Sequence, residues 1–189
     1  SDLYTKIIIE QISHWLNENP FLLGVNWLNP MEVALRAISL CWAFEAIKTS
    51  DHCSISFAQR LSCSLYDHLT YLNAQWELSD KPNNHYIADL TGALYLTLFF
   101  KEFPLIKQQI ADVQEALNKQ YKQQILADGT SYEGSTAYHR LVTEMHLHYT
   151  LLAQAYGLQL SPEHQAREEA LFDFLNDCTV GKTFITIGD

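Results

Sequence analysis

Between Asp128 and Arg140 the chain reads Asp128-Gly129-Thr130-Ser131-Tyr132-Glu133-Gly134-Ser135-Thr136-Ala137-Tyr138-His139-Arg140, placing two carboxylates, two phenols, an imidazole and a guanidinium around two glycines. Asp-Gly is a turn pair. Gly134-Ser135 then opens an apolar-periodic stretch for which Ser135 is the N-cap. Tyr138, His139 and Arg140 therefore fall at the first turn of a helix, where a rigid scaffold meets an open loop. Proton transfer is the chemistry such groups supply. A free tyrosine has a pKa near about 10. A cation such as Arg140 or a charged histidine would favour the phenolate of Tyr138 and bring it toward a working range. Tyr138 also shares a face with Leu141 and Val142, and Met145, Tyr149, Leu152 and Tyr156 continue that stripe, so it reads equally as the first member of a packed face. Asp128 and Glu133 could be the acid–base pair of a hydrolase, or could simply shape the turn.

A second cluster, Asn83-Asn84-His85-Tyr86, precedes another apolar run. Asn84 reads as an N-cap for that helix, or as an amide that works with His85 to hydrogen-bond an anionic group. Glu32 and Arg36 stand at i and i+4, the spacing of a helical ion pair. His139, His146 and His148 invite a metal site, but the order is not His-Glu-x-x-His and His146 points away from the Glu144–His148 face. No metal is assigned to them.

The elements that must position these residues are helices. Apolar periodicity predicts them over 3–17, from the cap Asn29-Pro30-Met31-Glu32 to about Lys48, and over 54–73, 85–101, 105–121, 135–156 and 162–176. The second and fourth are apolar nearly all round and must be covered on all sides. The fifth carries Lys107, Gln108, Asp112, Glu115 and Lys119 on one wet side and is a natural cover. Inner helices alternating with outer ones predict an all-α, incomplete (α/α) toroid rather than a four-helix bundle. Lys182-Thr183-Phe184-Ile185-Thr186-Ile187 alternates like a strand. We therefore expect a helical domain over 1–181, with 182–189 leading into a β domain.

The 189 residues suffice for one domain with a real core, and an apolar fraction of 48% rules against disorder. A net charge of −10 argues against a nucleic-acid partner. Four cysteines (Cys41, Cys53, Cys63, Cys178) show no Cys-x-x-Cys, and Cys41 reads as a buried thiol. There is no apolar run long enough for a membrane span, and no signal peptide is visible at Ser1, so the compartment stays open.

Three blocks together resemble the heparinase II/III-like polysaccharide lyases, a bacterial carbohydrate-active group. They are 26–37 (Asn26-Trp27-Leu28-Asn29-Pro30-Met31-Glu32 through Arg36-Ala37), 83–90 (Asn83-Asn84-His85-Tyr86 through Asp89-Leu90), and Gln124 through Asp128-Gly129, Tyr132-Glu133-Gly134-Ser135 and Tyr138-His139. The closing Ile187-Gly188-Asp189 resembles that family's junction into its next domain. The resemblance implies an incomplete toroid followed by an antiparallel β-sandwich, and β-elimination on a uronate-containing polysaccharide. It implies Asn84, with His85, as the group that neutralises the uronate carboxylate, and Tyr138 as general acid and candidate base. Trp27, Glu32, Arg36, Glu133, His139 and the adjoining Arg140 become the candidate substrate-binding set. The partners implied are an acidic polysaccharide and a C-terminal β domain, which would supply a further catalytic histidine and a structural metal. No cofactor is expected in this chain, the stretch alone is expected to be inactive, and a periplasmic or secreted setting is favoured. Two alternatives stand beside this: a toroid glycoside hydrolase using carboxylates from Asp128, Glu133 and Glu32, and a non-catalytic glycan-binding helical domain.

Overall fold

The computed structural model describes residues 2–188; Asp189, the last residue of the expected junction, lies outside them. Among the described residues eight α-helices run in order: α1 Asp2–Glu18, α2 Pro30–Ile47, α3 Ile55–Ala74, α4 Asn84–Phe99, α5 Pro104–Lys107, α6 Gln109–Gln124, α7 Thr136–Tyr156 and α8 Pro162–Asp177. Their starts follow local chemistry. Asn29, Ser54, Ser135 and Ser161 each sit in extended backbone and accept a hydrogen bond from the amide three residues on, satisfying one of the donors a helix start leaves free. The single helix expected over 105–121 is two, α5 and α6, separated by Gln108.

The chain divides into two compact units, Ser1–Trp76 with Gly92–Gln109, and Glu77–Thr91 with Ile110–Asp189. Helix α4 contributes to both. In the first unit α2 packs against α3, and α1 also packs on α3. The buried face of α2 comprises Val33, Ala34, Ala37, Ile38, Leu40, Cys41 and Ile47. Cys41 is a buried thiol, as its apolar setting suggested, and burial pushes its pKa up to about 12. Gly92 of α4 meets α2 so closely that a Cβ there would lie 2.7 Å from Ala34 Cα. Trp42 departs from the fully covered α2 that the apolar pattern predicts: it is exposed and donates its indole N–H to the Tyr95 hydroxyl at 3.0 Å. A tryptophan tolerates this position because its polar atom is satisfied.

In the second unit α7 packs on α8. Val142, Met145, Tyr149 and Leu152 of the expected stripe are buried, whereas Tyr138 and Tyr156 at its ends are not. Lys107, Gln108, Asp112, Glu115 and Lys119 are exposed. Arg167 of α8 donates from Nη1 to the carbonyls of Tyr121, Lys122 and Ile125, at 2.7–3.0 Å, closing the end of α6 with a cation where the helix leaves unpaired acceptors. The strand expected over 182–187 is shorter: Thr183–Phe184 pairs antiparallel with Thr179–Val180. Beyond it Ile187 bonds the start of α7, its carbonyl accepting from Thr136 N and its amide donating to Thr136 Oγ1. No helix among the described residues is long and apolar enough to cross a membrane.

Candidate functional site

The Asp128-Gly129 turn shapes the second unit's candidate site. Asp128 Oδ1 accepts from Thr130 Oγ1 at 2.8 Å and from Thr130 N at 3.1 Å, which holds its carboxyl below the usual range. Leu126 N donates to Thr130 O, Tyr132 N donates to Gln124 O, and Ile125 bridges Ser131, so the segment folds back on itself as a narrow hairpin. The hairpin grips the loop before α4 at three successive residues. The Tyr132 hydroxyl donates to Pro82 O, Gln124 Nε2 donates to Asn83 O, and Glu133 accepts from Asn84. Two of the chemical groups that made this segment conspicuous thus serve to hold the other motif.

Asn84 is the first residue of α4, and Asn83 is the cap: its Oδ1 accepts from His85 N at 3.1 Å. That corrects the capping reading of Asn84 and frees its amide for another partner. Glu133 Oε1 accepts from Asn84 N at 2.9 Å, and the two Glu133 oxygens lie 3.2 and 2.9 Å from Asn84 Nδ2. A carboxylate on a helix's first amide also suits the helix dipole. Because a carboxylate only accepts, it fixes which end of the amide is nitrogen. Asn84 is 2% exposed, and its Oδ1 has no hydrogen-bond partner.

His85, half-buried, turns Nδ1 to both oxygens of Glu77 at 3.1 Å. The carboxylate places the proton of a neutral imidazole on Nδ1 and leaves the lone pair on Nε2. One turn further along α4, Asp89 is fully buried, its Oδ2 accepting from Glu77 N at 2.9 Å. Burial pushes its carboxyl up to about 7, with the Glu77 charge acting in the same direction. The raised folded-state pKa means that the neutral form adds stability fully present below the unfolded value and lost as pH rises toward 7. Asp89→Asn should remove that dependence. Its stability difference from the parent should shift in the variant's favour by on the order of 4 kcal/mol between pH 4 and pH 8, as measured by urea denaturation at each pH. A constant difference would show that Asp89 ionises normally. Neither Glu77 nor Asp89 carries a local signal that would single it out. Asp89 lies within a matched block, and Glu77 stands across a polar loop from its partner.

Tyr138 is half-buried at the third position of α7; its backbone amide donates to the Ser135 cap at 3.3 Å. Arg140 is exposed. His139 is only 1% exposed: Nε2 bonds Leu171 O at 3.1 Å and its ring meets Phe174 edge-on. Its imidazole therefore packs α7 onto α8 instead of opening toward a substrate.

Trp27, Glu32 and Arg36 belong to the first unit. Glu32 is exposed, with its amide bonded to the Asn29 cap. Arg36 donates from Nε to His68 Nε2 at 3.0 Å and from Nη2 to Asn26 O at 2.9 Å, with its guanidinium 4.7 Å from the Trp15 ring centroid and 5.0 Å from that of Trp27. Trp27 is 5% exposed. Burial lowers Arg36 to about 10 and His68 to about 4. His68 is neutral: a guanidinium only donates, so Nε2 accepts, and Nδ1–H donates to Ser64 O at 2.6 Å. His68 lies 32 residues from Arg36, beyond the reach of helical spacing. Of the expected histidine trio, His139 and His148 stay apart from His146, which instead stacks on His164 of α8.

The helices, their capping and their packing define an all-α scaffold of the (α/α)-toroid class. The fold is shared with solved structures titled as a heparinase III with methylated lysines (TM-score 0.68, 19% identity, 92% of this chain and 30% of that one) and as the heparan sulfate lyase HepC from Pedobacter heparinus (TM-score 0.69, 22% identity, 95% and 29%). The sequence profile of the Heparinase II/III N-terminus family matches residues 1–168, and the chain belongs to that family. It is also similar to a heparin-sulfate lyase of Pedobacter heparinus, 26% identical over 160 residues that make up 82% of this chain. The chain spans 23% of that relative's length.

Proposed function

We propose that the chain forms the helical part of a polysaccharide lyase that cleaves a uronate-containing glycosaminoglycan by β-elimination. The observation that carries this is the Asn84 amide, fixed at the start of α4 with its N–H end turned toward a carboxylate. A uronate C5 proton is poorly acidic until its carboxylate is neutralised by donors that bind the developing enolate better than the ground state. Both Glu133 oxygens lie within hydrogen-bond reach of Asn84 Nδ2, and because Asn84 is 2% exposed the uronate carboxylate must take the place of Glu133 on that amide. In the reaction a base takes the C5 proton, the C–H electron pair forms the C4–C5 double bond, the C4–O bond breaks, and the leaving oxygen receives a proton. Tyr138 supplies that proton. His85, with Glu77 holding Nδ1, presents Nε2 as a basic atom beside Asn84.

On this reading further catalytic groups, a histidine among them, come from outside these residues. Activity then belongs to the full-length protein, and the 189-residue stretch assayed by itself is inactive. The relatives' names make heparan-type chains the first substrate to assay. With 12 Lys and Arg against 22 Asp and Glu, sparsely sulfated chains fit better than densely sulfated ones. The test is a panel of purified heparan, chondroitin and alginate chains incubated with the full-length protein. Products should show the ultraviolet absorbance of an unsaturated uronate, and Asn84→Ala should lower the rate by roughly 10²–10³-fold, the cost of losing one such donor. Saturated ends would identify a hydrolase; undiminished turnover by Asn84→Ala would reject this mechanism.

A further inference from the structure

Helices α7 and α8 carry two i, i+4 pairs, His146 with Thr150 and His164 with Glu168, and packing brings all four side chains together. One ligand atom from each of His146, His164 and Glu168 lies within 4.8 Å of the others. Glu168 Oε2 is 3.8 Å from His146 Nε2 and 4.0 Å from His164 Nε2. Thr150 Oγ1 sits 2.8 Å from both Glu168 Oε2 and His164 Nε2. Both imidazoles are buried, and His146 Nδ1, His146 Nε2 and His164 Nδ1 make no hydrogen bond. A core that only needed to fill space would not leave His146 Nε2 unbonded 3.8 Å from a carboxylate oxygen, since buried polar atoms are nearly always paired. Glu168 and Thr150 also line an open cleft of about 400 Å³, which reaches the carboxylate side of the cluster.

We infer that His146, His164 and Glu168 form a binding site for a divalent transition metal ion, zinc in particular, with its fourth position open to this cleft. Two imidazoles and one carboxylate are a donor set suited to zinc. Bonds of about 2.0–2.2 Å at tetrahedral angles put ligand atoms roughly 3.4 Å apart, so the 3.8 and 4.0 Å distances to Glu168 shorten by about 0.5 Å and the widest pair, within 4.8 Å, by at most about 1.4 Å. The imidazole rings now stack at 3.6 Å, 3° from parallel, and a metal must lie near the plane of each ring, so one ring tilts on binding. Each neutral imidazole moves its single proton to Nδ1 and offers Nε2, releasing none. Thr150, donating to Glu168, is the outer partner that orients the carboxylate.

The full-length protein, stripped with EDTA, should bind one equivalent of Zn²⁺ at this site beyond any metal held by the β domain, with micromolar or tighter affinity by calorimetry, and its Tm should rise on addition of Zn²⁺. Glu168→Gln keeps the size of the side chain and should weaken binding by more than the roughly 10–100-fold that loss of an outer partner costs. His148→Gln, on the same helix but outside the cluster, should bind as the parent does. Visible absorption of Co²⁺ bound to the parent reports the ligand field directly and keeps the site testable if Glu168→Gln does not fold. That spectrum should change in Glu168→Gln and not in His148→Gln. Absence of stoichiometric binding, or equal binding by both variants, would overturn the site and leave the histidines as a stacked pair in the core.

Discussion

Tyr138→Phe is expected to lower turnover by the full-length protein by roughly 10²–10⁴-fold, the range one positioned acid–base group supplies. The change removes only the hydroxyl. The hydrogen bond that Tyr138 makes to the Ser135 cap comes from its backbone amide, and the side chain is half-buried, so α7 keeps its start and its packing. The thermal midpoint should therefore stay close to that of the parent. If the phenol protonates the leaving oxygen, its contribution exists only in the transition state, and kcat and kcat/KM should fall together. A rise in KM alone would make Tyr138 a binding residue, and an unchanged rate would remove it from the mechanism. Substrates with a better leaving group at C4 should recover part of the lost rate, because they need less protonation.

The largest effect on stability is expected at Gly129. Its φ of +84° is a backbone conformation that side-chain-bearing residues resist, and a Cβ there would lie 2.2 Å from Ala170 O and 2.3 Å from Ala170 C. Those atoms are backbone of α8 and cannot move aside as a flexible side chain could. Gly129→Val should cost about 4 kcal/mol or more, in the range reserved for steric conflict and strain at a special backbone position. Gly134 provides the contrast. Its φ is +71° with nothing within 4 Å of a built Cβ, so Gly134→Ala should cost only the left-handed penalty of roughly 1–2 kcal/mol. Urea denaturation of the two variants measures the difference. The loss at Gly129 should also reach the site, because the same hairpin carries Tyr132 and Glu133 onto Pro82 and Asn84. Similar costs at the two glycines would show that the hairpin can lift away from α8 without penalty.

The helices were legible because their causes are local. Asn29-Pro30 and Ser135 announce helix starts through side chains that satisfy the first free amides, and each does so in the structure; Ser54 and Ser161 cap α3 and α8 in the same way. Val142, Met145, Tyr149 and Leu152 of α7 are buried as their spacing predicts, whereas the buried His139, Thr143, His146 and Thr150 lie outside that stripe. Chemical roles were less legible. Arg36 and Glu32 have helical spacing, yet Arg36 is drawn to His68, Asn26 and two tryptophans, a setting that offers more than an exposed carboxylate in water. His139 follows Tyr138 directly, but one step along a helix turns a side chain by about 100°, which takes it from the open junction into the core.

Composition, caps and periodicity by themselves determined a predominantly helical chain, most of its helix starts, and the three blocks at 26–37, 83–90 and 124–139 that carry the lyase resemblance. Only the tertiary structure decided which polar groups meet. Glu133 reaches Asn84 across 49 residues, Glu77 holds His85, and His146 finds His164 and Glu168 on another helix. Capping and amphipathic spacing act between residues one to four apart, where the backbone geometry is fixed once a helix forms. Contacts between helices depend on how whole faces pack, and no local pattern encodes which buried amide, imidazole or carboxylate will lie opposite another.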